Sequence, residues 1–121
     1  MAEDVAAAID IGSNTVHMLV GAWRDGRVVP LDDAAELIGL AEDVYARGCI
    51  SPARLAEAVD AVARLAHHAR EGGASPILLV ATAAVRDAAN ADDVAAAVHE
   101  RTGLQLQLID GKREEIGRAH V

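Results

Sequence analysis

At 121 residues the chain is long enough for one hydrophobic core, read as a single domain over 1–121, and too short for two full domains. Its 52% hydrophobic and 25% charged residues are those of a globular protein, and with no Phe, one Trp and one Tyr the core has to be built from Ala, Val, Leu and Ile. A net charge of −8 argues against nucleic-acid binding and against an anionic membrane surface, since both need an excess of Lys and Arg to meet phosphates.

Val5 to Ile11 is a short apolar run ending in a Gly-Ser-Asn turn, and reads as a buried strand. Thr15 to Trp23 is a second strand rich in β-formers, and Arg24-Asp25-Gly26-Arg27 is a hairpin turn with an Asp-Gly signal. Val28 to Leu31 begins a third strand, expected to resume around Glu36 to Leu40. Ser51-Pro52 then supplies a hydroxyl N-cap and a proline at the first helical position. Leu55, Val59, Val62 and Ala66 follow at helical spacing, and Gly72-Gly73 ends that helix. Ile77 to Ala81 is continuously apolar, as in a strand buried on both faces. Asn90-Ala-Asp-Asp93 opens the next helix, with Val94, Ala97 and Val98 inward and a stop at Gly103. Leu104 to Leu108 alternates as a strand, and Lys112 to Val121 reads as a final helix. The order β-β-β-α-β-α-β-α predicts an α/β fold around a mixed five-stranded sheet with a parallel part.

The lone Cys49 cannot close an internal disulfide, and no Cys/His cluster has zinc-ligand spacing. The acidic start Met1-Ala-Glu-Asp4 lacks the basic region of a signal peptide, and no apolar run reaches the ~20 residues needed to span a bilayer. A bacterial cytoplasmic location is expected.

Three turns carry chemistry. Ile9-Asp-Ile-Gly-Ser-Asn-Thr-Val-His17 places Asp10 at the end of a buried strand, where a carboxylate needs a partner. Gly12 lets the backbone turn, and Ser13, Asn14 and Thr15 add donors around a concavity suited to an anion. The same residues would also serve as an ordinary capped hairpin turn. Thr82 falls at the carboxyl end of the 77–81 strand, where open α/β sheets bind ligands, and Arg86 follows within about one helical turn. The competing reading of Arg86 is a surface cation paired with Asp87 or Asp93. In Gly111-Lys-Arg-Glu-Glu115 a carboxylate either complements a helix dipole or acts as a general base. His67 and His68 diverge by about 100° on a helix and cannot both face one metal. His17, His99 and His120 read as packing or solvated residues.

Asp10-Ile-Gly-Ser-Asn-Thr-Val-His17 resembles the first phosphate loop of the exopolyphosphatase/guanosine-pentaphosphate phosphohydrolase family. Val80-Ala-Thr-Ala-Ala-Val-Arg-Asp-Ala-Ala-Asn90 is similar to that family's second block, and Ile109-Asp-Gly-Lys-Arg-Glu-Glu115 to its third. The resemblance implies a ribonuclease H-like fold of the actin, sugar-kinase and chaperone-ATPase type, here truncated and lacking the family's second half. It implies Mg²⁺ organised by Asp10, a phosphate held by Gly12, Ser13, Asn14 and Thr15, and a phosphoryl group positioned by Thr82 and Arg86. It places the water-activating glutamate at Glu114, with Glu115 the alternative register.

The implied activity is Mg²⁺-dependent hydrolysis of terminal phosphoanhydride bonds in inorganic polyphosphate or guanosine pentaphosphate, with this fragment alone inactive. The rivals are a phosphotransferase on the same fold and a domain that binds guanosine tetra- or pentaphosphate without turnover. Two departures bear on this. Arg113 replaces the first acid of the third block, and Glu36-Leu-Ile-Gly-Leu-Ala-Glu-Asp43 is acidic where the family commonly carries basic residues, which argues against long-chain polyphosphate. A domain without its other half is also expected to expose an apolar face that pairs two copies as a homodimer.

Overall fold

A computed structural model describes residues 4–109, so the segment Lys112 to Val121 read as a final helix lies outside them. β1 (Asp4–Ile11), β2 (Thr15–Arg24) and β3 (Arg27–Leu37) come first, then α1 (Leu40–Arg47) and α2 (Pro52–Glu71). β4 (Ile77–Ala81), α3 (Ala83–Asp87), α4 (Ala91–Thr102) and β5 (Leu106–Leu108) complete the described chain. The sheet has five strands among the described residues, in the order β3-β2-β1-β4-β5. β1 to β3 form an antiparallel meander, while β4 runs parallel to β1 and β5 parallel to β4. This is the expected mixed sheet, with two short helices, α1 and α3, that the apolar periodicity does not announce.

Alternation along the strands puts one face of the sheet under helices. Ala7, Ile9 and Ile11 of β1, Val16, Met18 and Val20 of β2, and Leu79 and Ala81 of β4 are buried there. Ala58, Ala61, Val62, Leu65, Ala66 and Ala69 of α2 and Val94 and Val98 of α4 cover them. With alanine supplying so much of this layer, the helices approach closely and the missing aromatic bulk is not needed. The opposite face is uncovered among the described residues. Ala6, Ala8, Leu19, Trp23, Val28 and Leu78 line a shallow apolar trough of about 600 Å³ there. β4 is therefore not buried on both faces as its apolar run suggested, and Leu78 is 46% exposed. The reason is topological: the crossover helices α2 and α4 pack against each other on the same side.

β3 runs without interruption from Arg27 to Leu37, and Leu40 opens α1 instead of closing the strand. Val20 pairs with Asp32 while Gly21 pairs with Pro30, so Leu31 is the extra residue of a bulge. Pro30 is tolerated because β3 is an edge strand, where a missing N–H costs no ladder bond. The two acids after it fall on opposite faces: Asp32 bonds His68 of α2, and Asp33 bonds His17 across the open face. α2 starts as its sequence dictates, with Ser51 Oγ accepting the Arg54 N–H at 3.3 Å and Pro52 at the first position.

Candidate active site

The parallel arrangement of β1, β4 and β5 brings three carboxyl ends to one edge. Ile11, Ala81 and Leu108 are paired in a single row across these strands. The residues that follow them are stitched together by the backbone. The Thr82 N–H donates to the Ile11 carbonyl at 3.4 Å, and the Ile109 N–H to the Ala81 carbonyl at 2.9 Å. Gly12, Thr82 and Ile109 thus stand side by side, which joins the first two sequence blocks and delivers the chain to the start of the third. Gly111, Glu114 and Glu115 lie outside the described residues.

Arg86 is held at this edge and does not swing free on the surface. Its backbone N–H donates to the Thr82 carbonyl at 2.9 Å, closing the single turn of α3. Its Nη1 donates to the Ile109 carbonyl at 2.8 Å, and its Nε lies 3.5 Å from the Asp87 carboxylate. The Asp87 pairing expected of a surface arginine is present, but the guanidinium also spans from α3 to the end of β5. Thr82 caps α3 without a side-chain capping bond, so its hydroxyl is not committed to the helix.

The 12–15 turn is shaped from behind. The Gly12 N–H donates to the Thr15 carbonyl at 2.8 Å, and a Cβ at position 12 would lie 3.2 Å from that same oxygen, which is why a glycine fits. The Asn14 carbonyl accepts from Ile38 and Gly39 at 2.7 and 3.0 Å, and the Ser13 carbonyl accepts from Ala41 at 2.8 Å. A planar trans peptide holds each C=O antiparallel to the next N–H. Fixing these two carbonyls on residues 38–41 therefore turns the Asn14 and Thr15 N–H groups the opposite way, away from that segment. Successive N–H groups so directed make an anion-binding concavity. The strap at 38–41 is the functional element the sequence reading missed. The helix α1 that it leads into does carry sequence signals, with Glu42 and Asp43 in its first turn, Arg47 in the last, and Gly48 beyond.

Asp10 lies two residues before the turn, on the open face, paired across the strands with His17 and Val80. Its Oδ1 is sealed from solvent. Among the described residues no three His, Cys, Asp or Glu side chains form a metal cage. A single carboxylate beside an anion-binding turn would suit Mg²⁺, which is usually held by one or two carboxylates together with water and substrate phosphates. Next to Asp10, His17 Nε2 lies 2.6 Å from Asp33 Oδ1, so this histidine has a polar partner and is not simply packed. His67 pairs with Glu71 and His68 with Asp32, so the two do indeed diverge.

The acids of the 36–43 stretch are engaged. Glu36 bonds Arg64 of α2 at 2.6 Å, and Glu42 lies 3.8 Å from Arg54. Asp43 accepts from the Ser51 hydroxyl at 2.6 Å and the Ser51 N–H at 3.0 Å, and these bonds hold its carboxyl below the ordinary aspartate range. The stretch does not present an unbroken acidic surface beside the turn. No helix among the described residues is long and apolar enough to cross a membrane.

Comparison with known proteins agrees with this fold. The model of the Ppx/GppA phosphatase family matches residues 20–117. Exopolyphosphatase 1 of Mycobacterium leprae is 35% identical over 107 residues, covering 88% of this chain and 32% of that protein. Exopolyphosphatase 1 of Mycobacterium tuberculosis is 36% identical over the same length. The chain thus spans about a third of the length of these curated relatives. The crystal structure of the Aquifex aeolicus member of the Ppx/GppA protein family superposes with a TM-score of 0.88 at 25% identity, over 93% of this chain and 37% of that one. The ethanolamine utilization protein EutJ of Carboxydothermus hydrogenoformans shares the fold alone, with a TM-score of 0.54 at 17% identity.

Proposed function

The chain belongs to the Ppx/GppA phosphatase family, and from that premise we propose that it is the phosphate-binding part of an enzyme hydrolysing terminal phosphoanhydride bonds. The observation that carries this reading is the convergence of the 12–15 turn, Thr82 and Arg86 at one edge of the sheet, where Ile109 leads into the third block. The Asn14 and Thr15 N–H groups and the Ser13 and Thr15 hydroxyls bind phosphate oxygens. Thr82 and the Arg86 guanidinium orient the phosphoryl group to be cleaved, the guanidinium offsetting charge that develops on it. Glu114 takes the proton of the attacking water, with Glu115 as the alternative base. Asp10 would hold Mg²⁺, which when bound supplies positive charge against the phosphate oxygens.

The substrate class is inorganic polyphosphate or guanosine pentaphosphate, acted on in the cytoplasm. The acidic 36–43 stretch would favour the alternative reading, a domain that binds guanosine tetra- or pentaphosphate without turnover. That support weakens where Glu36, Glu42 and Asp43 each have a partner. The deciding experiment measures phosphate release from both substrates with Mg²⁺ by the full-length parent and its Glu114→Gln variant. We expect hydrolysis by the parent and a loss of ~10²-fold or more in the variant. Binding of both ligands with no phosphate released would replace hydrolysis by sensing.

A further inference from the structure

Resting on the phosphate-loop reading above, we propose that Asn90 is a positioning residue for the 12–15 turn, acting through Gly48–Ser51 and α1. Asn90 occupies the N-cap of α4, where an asparagine side chain ordinarily accepts an N–H from the first helical turn. Here it makes no such bond. Its Oδ1 accepts the Ile50 N–H at 2.9 Å and its Nδ2 donates to the Ile50 carbonyl, also at 2.9 Å. The neighbouring Ala89 N–H donates to the Gly48 carbonyl at 2.8 Å, so residues 48–50 are pinned at three points. The Asn90 side chain has given up capping its own helix to hold a segment forty residues away.

What that segment controls is α1. Gly48 closes α1 through its N–H to the Val44 carbonyl at 2.8 Å, and Ser51 grips Asp43 of the same helix. With eight residues, α1 is too short to hold its place by helix propensity, and Leu40 is its only buried residue. It is secured at its ends. One end is the 48–51 segment under Asn90; the other is the 38–41 strap that fixes the Ser13 and Asn14 carbonyls and so aims the Asn14 and Thr15 N–H groups. Ile50 and Leu40 are both buried, so the two ends rest on the same core. The chemistry demanded at position 90 is narrow. An amide of this length both donates to a carbonyl and accepts from an N–H; aspartate lacks the donor, and a serine hydroxyl, though it can do both, is too short to reach both atoms.

Asn90→Ser separates positioning from stability, because serine is a good N-cap and can recover the helix cap while losing the clamp. Two quantities are read on this chain: amide hydrogen exchange, and tripolyphosphate affinity by calorimetry with Mg²⁺. The expected result is exchange at Ile38, Gly39 and Ala41 about 10-fold faster, relative to the sheet amides of Ile9, Met18 and Leu79, with tripolyphosphate bound about 10-fold more weakly. Faster exchange confined to Ile50, or raised equally everywhere, would overturn the proposal and leave Asn90 a local or global stabiliser. If the exchange pattern appears but the unsubstituted chain binds no tripolyphosphate, the coupling stands and the phosphate reading falls. Should Asn90→Ser not fold, Asn90→Asp, which keeps the acceptor and loses the donor, is read by the same criteria.

Discussion

Arg86→Lys tests whether the phosphate recognition proposed for this edge of the sheet works by geometry or by charge alone. A guanidinium carries five N–H donors in a fixed plane. One is committed to the Ile109 carbonyl at 2.8 Å and the Nε lies toward Asp87 at 3.5 Å, which leaves the outer N–H groups to meet a phosphate. Lysine keeps the charge but is a point donor, and cannot hold Ile109 and grip a phosphate in the same plane. A hydrogen bond to a charged group contributes about 1.5–3 kcal/mol, and Arg86 is about a third exposed, so the lower end of that range applies. At ~1.4 kcal/mol per decade the dissociation constant for tripolyphosphate should rise ~10-fold. The same side chain ties α3 to β5, so thermal unfolding should shift by no more than a few degrees. Calorimetric titration with Mg²⁺, paired with a melting curve, reads both. If Arg86→Lys binds within ~2-fold of the unsubstituted chain, planar recognition by Arg86 is refuted and only its charge remains.

Asp43 makes the α1–α2 junction sensitive to acid. Its carboxyl titrates below the ordinary value of 3.8 because the Ser51 hydroxyl and N–H stabilise the ionised form. Its contribution is therefore complete above the unfolded value and is lost as pH falls through the folded one. Asp43→Asn should melt lower than the unsubstituted chain at neutral pH, with the gap closing below pH 3.8. Asp32 also titrates low beside His68, but it is common to both proteins and cancels in the difference, so a gap independent of pH would refute the role. For the open face, two copies are expected to pair through the trough around Trp23 and Val28, which are 57% and 62% exposed. Light scattering should give a dimer that Trp23→Lys converts to monomer, and a monomeric unsubstituted chain at high concentration would rule the pairing out.

The large apolar signals were legible because each element's own period decides it. The alternation of β2, the continuous run of β4 and the Ser-Pro start of α2 needed no tertiary context. β3 was harder because its carboxylates look like a turn. Only the positions of His68 and His17 explain acids at two adjacent strand residues, and those partners lie 36 and 16 residues away. α1 and α3 stayed hidden because neither is held by a periodic apolar face. α1 depends on bonds to Ser13, Asn14 and the 48–51 segment, all set by topology. The site shows the same division. The residue types of the 12–15 turn and of 82–86 could be read from the sequence, but the strap that orients the peptide groups could not.

That division also bears on how an acidic chain can bind a polyanion. A site built from lysines would have to overcome the field of a protein whose net charge is −8. The edge described here relies on peptide dipoles, hydroxyls and one anchored guanidinium. Such groups act over a few ångströms, whereas the net charge is screened beyond about 8 Å at physiological salt. Of the acids in the 36–43 stretch, Glu36 is paired with Arg64, and Asp43 stays ionised but is turned to Ser51. The acidic stretch 36–43 and the 12–15 turn are then parts of one arrangement. Asp43, in the first turn of α1, accepts from Ser51 beyond its far end, and Ile38, Gly39 and Ala41 at its near end fix the carbonyls of the 12–15 turn. The acidity of that stretch, taken from sequence as an argument against long-chain polyphosphate, includes at Asp43 a bond that helps hold α1 beside the turn.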